Sequence, residues 1–285
     1  MKLRIAAISF LNPAPLMWNF EHPPAQQDLS TRYELSWSTP SVCAAKLTSG
    51  EAHIGLVPIA AYATQPSMLV VPGCTIASRE HVRSILLITR EDRDMREIRS
   101  VALDTSSRTS ATYTRILFHH LWKTRPSFHP HTPDLEAMLD ATDAALLIGD
   151  PALLALEDRE ARYQRTGERL RYIDLAEEWH KFTGTNWVSA FWTIRPEAPA
   201  ETGISPARII QDFQASRDAG LAHIEDLVHE WSVRMPVPAA TIRTYLTENI
   251  WYVLDQPCIE GIRLFYRYGL ECGALPAAPK LSFLG

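Results

Sequence analysis

Five hydroxyl side chains and one guanidinium fill six consecutive positions, Thr105-Ser106-Ser107-Arg108-Thr109-Ser110, directly after the apolar run Val101-Ala102-Leu103-Asp104. A strand entering a helix through such a turn presents unpaired N–H groups and the positive end of a helix dipole, which together suit an anion. A helix cap would need only one of these side chains. The turn is therefore the best single site in the sequence, with Thr105, Ser107, Thr109 and Ser110 as donors. Two more segments, Ser9/Asn12 and Ser84, also put polar groups just past the ends of apolar runs, where open parallel sheets hold their ligands. Asn12 precedes Pro13, which pushes its backbone toward an extended conformation. It reads either as a turn-forming residue or as a neutral donor and acceptor aimed into a cleft.

Other chemistries lack a signature. His119-His120 and His129-Pro130-His131 invite a metal, but neighbours on a helix point about 100° apart. No HExxH or Cys/His spacing supports zinc, so no metal is expected. Asp104, Asp150 and Asp174 are scattered and form no recognisable acid/base pair. GxGxxG, P-loop and GxSxG patterns are all absent, which disfavours nucleotide binding and serine hydrolysis. Cys43, Cys74, Cys258 and Cys272 lie far apart and read as buried reduced thiols. Trp179, Trp187 and Trp192 read as core or hinge packing.

The elements that must carry these groups follow from periodicity. Strands are predicted over 3–10, 32–37, 52–58, 69–76, 84–89, 101–104 and 144–148, and a helix from Ser41 to Gly50. A second helix is predicted over 112–122. A third starts at Pro151, with Asp150 as its N-cap. The β-α-β order favours a parallel sheet. A fresh βα series begins after the charged loop 91–94, so 285 residues divide into two lobes. From about 205 onward the pattern is helical, and a loose tail starts at Pro276. The net charge of -5, with no basic run, argues against nucleic acid. No segment approaches a membrane span, and the N-terminus makes a poor secretory signal. A cytoplasmic monomer or homodimer is expected.

Arg4-Ile5-Ala6-Ala7-Ile8-Ser9-Phe10-Leu11-Asn12 with Pro15-Leu16 resembles the opening of the chorismate dehydratases of the futalosine route to menaquinone. Pro40-Ser41, Gly50-Glu51-Ala52 and Gly55-Leu56-Val57-Pro58-Ile59 continue the match, as do Ile76-Ala77-Ser78 and Val82-Arg83-Ser84-Ile85-Leu86-Leu87. It is closest at Leu103–Ser110 and Leu147–Ala152. Asp174-Leu175, Trp179, Thr183-Gly184 and Ala190-Phe191-Trp192 complete it. Two segments depart from the pattern: Arg79-Glu80-His81 fills a loop where a glycine is usual, and Thr185-Asn186-Trp187 replaces an apolar stretch.

The resemblance implies an α/β, two-lobed fold like the type II periplasmic binding proteins, each lobe a mostly parallel sheet flanked by helices. Lobe 1 would comprise 1–88 and 193–285, lobe 2 would comprise 89–192, and the ligand would lie between them. It implies a lyase that dehydrates chorismate without a cofactor. Asn12 would orient the enolpyruvyl carboxylate or the departing hydroxyl, and that carboxylate would itself remove the proton. Ser9, Ser41, Ser84, Thr105, Ser107, Thr109 and Ser110 would bind the substrate. Two rivals are a non-catalytic anion-binding module and the related naphthoate synthase of the same pathway.

Overall fold

Short apolar runs bounded by Pro, Gly and polar clusters become ten strands in the computed structural model, which describes residues 1–285. They are β1 (Leu3–Ile8), β2 (Tyr33–Ser38), β3 (Ile54–Pro58), β4 (Leu69–Ser78), β5 (Ile85–Arg90), β6 (Ser100–Asp104), β7 (Ser127–His131), β8 (Ala144–Ile148), β9 (Leu170–Asp174) and β10 (Trp187–Ile194). Two five-stranded sheets result, ordered β2-β1-β3-β10-β4 and β7-β6-β8-β5-β9. In each, four strands run one way and the fourth in order runs against them. Every residue of β3 and β8 is buried, as expected for strands covered on both faces.

The reversed strands β5 and β10 are the first to follow each crossing between lobes. β4 ends at the cleft, so the chain enters the second sheet from its cleft end and must run away from it. The same holds for β10 after β9 and the helix Leu175–Thr183. The expected boundaries at 88/89 and 192/193 therefore each fall inside a strand. All of β5 belongs to the second sheet and all of β10 to the first. A buried apolar strand carries no mark of which sheet it joins, and the charged loop 91–94 was misleading punctuation.

Helix ends follow local chemistry. Pro40–Ser49 opens on proline and stops at Gly50, whose φ of +78° suits only glycine well. Arg108–His120 is capped by Ser107, whose Oγ accepts the Ser110 N–H at 3.2 Å. The helix after β8 spans Gly149–Glu157, so Asp150 lies in its first turn and is not the N-cap. Pro206–Ala222, Ile224–Arg234, Ala239–Thr244 and Gln256–Glu271 make up the helical C-terminal region, with a π-helical turn at Tyr245–Asn249. The tail is not loose: Val70 donates to Ser282 at 2.7 Å and Leu284 donates back to Val70 at 2.9 Å, covering the edge of β4.

One continuous apolar core joins the lobes, uniting Ile5 and Trp192 of the first sheet with Leu103 and Leu146 of the second. At its centre Tyr113 stacks on Trp187, with ring centroids 3.6 Å apart. The four cysteines are free, and burial pushes the thiols of Cys43, Cys74 and Cys258 up to about 12. They stay neutral near pH 7 and are unsuited to nucleophilic work. No helix is long and apolar enough to cross a membrane.

Candidate functional site

The four parallel strands of each sheet point their carboxyl ends at the gap between the lobes, the reversed β5 and β10 point their amino ends there, and the adjoining loops wall a cavity. From the first lobe come Ile8, Phe10 and Asn12 after β1, Pro40 after β2 and Pro58 at the end of β3. Facing them are Ser107 and Ser110 after β6 and Ile148-Gly149 after β8. Ser84 with Ile85, and Ser189 with Ala190, come from the two crossing segments. Five wall residues are polar, namely Asn12, Ser84, Ser107, Ser110 and Ser189, and none is charged. Two helices of eight residues or more, Arg108–His120 and Gly149–Glu157, start at this wall from the second lobe. Their N-terminal N–H groups and dipoles bias the cavity toward an anion without any fixed cation.

The cavity is small and partly open to solvent. It leaves about 40 Å³, room for a few waters. A ring-sized ligand needs more, so the lobes must part to admit one. Several polar contacts hold them together. The Leu11 N–H donates to Asp150 Oδ1 at 3.2 Å, and the Ala60 N–H donates to Thr109 Oγ1 at 3.1 Å. Beside them the Phe10 ring lies on Gly149, whose φ is +63°. A Cβ there would meet that ring at 3.1 Å.

Four of the eight expected site residues reach the wall: Asn12, Ser84, Ser107 and Ser110. The other four do not. Ser9 is exposed and lines a neighbouring outer pocket with Trp37 and Arg234, because the backbone turns at Phe10. The Ser41 hydroxyl lies 3.5 Å from Thr39, and its neighbour Pro40 takes the wall position. Thr105 is exposed, since the turn points its side chain to solvent. Thr109 is buried one helical step round from the cavity, and its hydroxyl accepts the Ala60 N–H. Ser84 does not follow a strand; it precedes the reversed strand β5, whose amino end faces the cleft.

Ser84 is placed with unusual care. Arg83 has a φ of +61°, a left-handed conformation that costs a non-glycine residue about 1–2 kcal/mol. Asp174 holds that bend by accepting the N–H groups of Val82 and Arg83 at 2.9 and 2.6 Å. The Ser84 carbonyl accepts the Gly149 N–H at 2.7 Å. The buried Tyr245 hydroxyl donates to Ser84 Oγ at 2.7 Å and also interacts with the Asn12 side chain. Burial pushes Tyr245 far above its ordinary value, so it remains protonated.

Sequence reasoning missed Tyr245, Phe10, Gly149 and Ser189 as wall or network residues, and gave Asp150 the wrong task. Burial pushes the Asp150 carboxyl up to about 6, opposed by the Leu11 N–H. The Leu147–Ala152 stretch was the available signal for Gly149 and Asp150. Nothing in the helical C-terminal region marks Tyr245. The histidines lie elsewhere, and no three His, Cys, Asp or Glu side chains gather in a way that could hold a metal ion.

The comparisons with known proteins fit this geometry. A family model described as menaquinone biosynthesis matches residues 3–271. Among solved structures, a protein from Archaeoglobus fulgidus aligns with a TM-score of 0.71 at 13% identity, covering 96% of this chain and 98% of that one. The alkanesulfonate-binding protein SsuA from Xanthomonas axonopodis pv. citri, bound to MOPS, aligns at 0.66 with 15% identity, covering 98% and 95%. A Candida albicans protein described as exhibiting the generic periplasmic binding protein structural fold aligns at 0.65 with 13% identity, covering 100% and 98%. The fold is thus periplasmic-binding-protein-like.

Proposed function

Because this chain belongs to the menaquinone biosynthesis family, we propose that it is a lyase of that pathway, dehydrating chorismate to 3-[(1-carboxyvinyl)oxy]benzoate. The observation that supports the reading best is the cavity wall: neutral hydroxyl and amide donors and two helix N-termini, with no fixed charge. Chorismate carries two carboxylates. N–H and O–H donors hold them without the hydration that a mobile cation would keep.

In the proposed reaction the ring C–H beside the enolpyruvyl ether breaks, and its electron pair forms the new ring double bond. The neighbouring C–O bond breaks, and the hydroxyl leaves with a proton as water. The lost proton is vinylogous to the ring carboxylate, so charge develops on that carboxylate in the transition state. The Ser110 hydroxyl, whose oxygen accepts the Ser107 O–H at 3.1 Å, and the N-terminus of Arg108–His120 suit it. Asp150 and Asp174, the carboxylates close by, already accept backbone N–H groups and are absent from the wall. The enolpyruvyl carboxylate is then the base, held over the ring by Asn12 and Ser84. Closure of the lobes over the substrate would keep water from competing for the proton.

Incubating the purified protein with chorismate, with no added metal or cofactor, tests this by mass spectrometry. The expected product is lighter by one water. Unchanged chorismate bound with measurable affinity would instead support a capture protein, the reading favoured by the likeness to sulfonate-binding proteins.

A further inference from the structure

We propose that Tyr245 is a positioning residue for Ser84: its hydroxyl fixes the direction of the Ser84 O–H, so that this proton points at the ligand. The inference rests on chorismate being the ligand of this cavity.

A phenol is a stronger acid than an alkyl alcohol, and its oxygen is the poorer acceptor. In a Tyr–Ser pair the tyrosine therefore donates and the serine accepts. The two oxygens are 2.7 Å apart, a hydrogen-bond length, with the phenol as donor. Ser84 Oγ has no other partner in the protein, while Ser84 lines the cavity. With one lone pair occupied by Tyr245, its own proton is left to face the ligand. Satisfying a buried tyrosine would require only one such bond, and most helix positions could supply it. What sets Tyr245 apart is its backbone. It opens the one π-helical turn of the chain, Tyr245–Asn249, a geometry that is rare and frequent at functional sites. Its partner follows the left-handed Arg83. Both ends of the hydrogen bond thus sit on backbone that regular structure would not choose. Tyr245 comes from the C-terminal helices and Ser84 from the crossing into the second lobe, so the contact also requires the lobes to be in register.

The test is a double-mutant cycle on chorismate turnover with Tyr245→Phe, Ser84→Ala and the double variant, each checked for folding by urea unfolding. Tyr245→Phe keeps the ring and its packing. Its kcat is expected to fall about tenfold, with KM changing less than about twofold. Ser84→Ala should fall about a hundredfold. The double variant should be no slower than Ser84→Ala alone, because Tyr245 acts only through Ser84. Parental kcat in Tyr245→Phe, or losses that multiply in the double variant, would overturn the proposal while leaving the dehydratase reading intact. A parent protein that binds chorismate without converting it moves the same cycle to affinity, where the same non-additivity is required. A parent that neither binds nor converts chorismate overturns the reading beneath the proposal, and the proposal with it.

Discussion

Replacing Asp150 by asparagine should make the protein more stable above neutrality and leave it unchanged in acid. Burial raises the Asp150 carboxyl from 3.8 to about 6 in the folded chain, the Leu11 N–H opposing the rise only in part. A group raised on folding binds its proton more tightly in the native state. Its favourable contribution is complete below pH 3.8 and disappears as pH climbs through about 6. Each tenfold change in proton affinity is worth about 1.4 kcal/mol, which sets a ceiling of about 3 kcal/mol. Partial exposure of the side chain and solvent screening bring the expected figure to about 1–2 kcal/mol. Asparagine keeps an oxygen for the Leu11 N–H and carries no charge. Urea unfolding of parent and Asp150→Asn at about pH 3.5, below the unfolded value, and at pH 7.5 measures the difference directly. The two proteins should unfold alike at the lower pH, and the variant should gain about 1–2 kcal/mol at the higher one. A gap that is equal at both pH values, or a variant weaker at pH 7.5, would show that the N–H outweighs burial and refute the reasoning.

Further outcomes follow from other contacts. Asn12→Asp and Asn12→Ala should both lower kcat by about a hundredfold to a thousandfold, with the fold retained in circular dichroism, because each removes a preorganised neutral donor from the cavity. Thr109→Ala leaves the buried Ala60 N–H unpaired and should cost about 1–3 kcal/mol in chemical denaturation. Gly149→Ala must accept a φ of +63° and displace the Phe10 ring, so its melting temperature should fall by an amount equivalent to about 1–2 kcal/mol.

The strands were the most legible part of the sequence. Runs such as Ile54–Pro58 and Ala144–Ile148 are apolar throughout, and their ends are marked by Pro, Gly or Asp. Which sheet each strand would join was not legible. Ile85–Arg90 has the composition of any buried strand, and only its partners β8 and β9 assign it to the second lobe. The same division runs through the site. Asn12, Ser107 and Ser110 could be found because they stand where a strand gives way to a helix, a place visible in one dimension. Thr109 shares that turn, yet one helical step rotates it toward Ala60. Asp150 looked like a cap because Pro151 follows it. Its carboxylate has a tertiary partner in the Leu11 N–H instead, and the helix begins two residues earlier, at Gly149. Tyr245 lies 161 positions from Ser84, a separation over which no local pattern carries information.

The position of β10 also dictates an order of assembly during synthesis. β5 to β9 occupy one unbroken stretch, Ile85–Asp174, so the second sheet has every strand it needs once that stretch has left the ribosome. The first sheet does not. β3 and β4 are made early but meet only through β10, which ends at Ile194. The later-coded lobe can therefore close first, while the earlier one waits with two open strand edges. A nascent chain whose emerged part ends between Asp174 and Trp187 would hold one sheet with all its strands and one adhesive half-sheet, the kind of edge on which chains pair with one another.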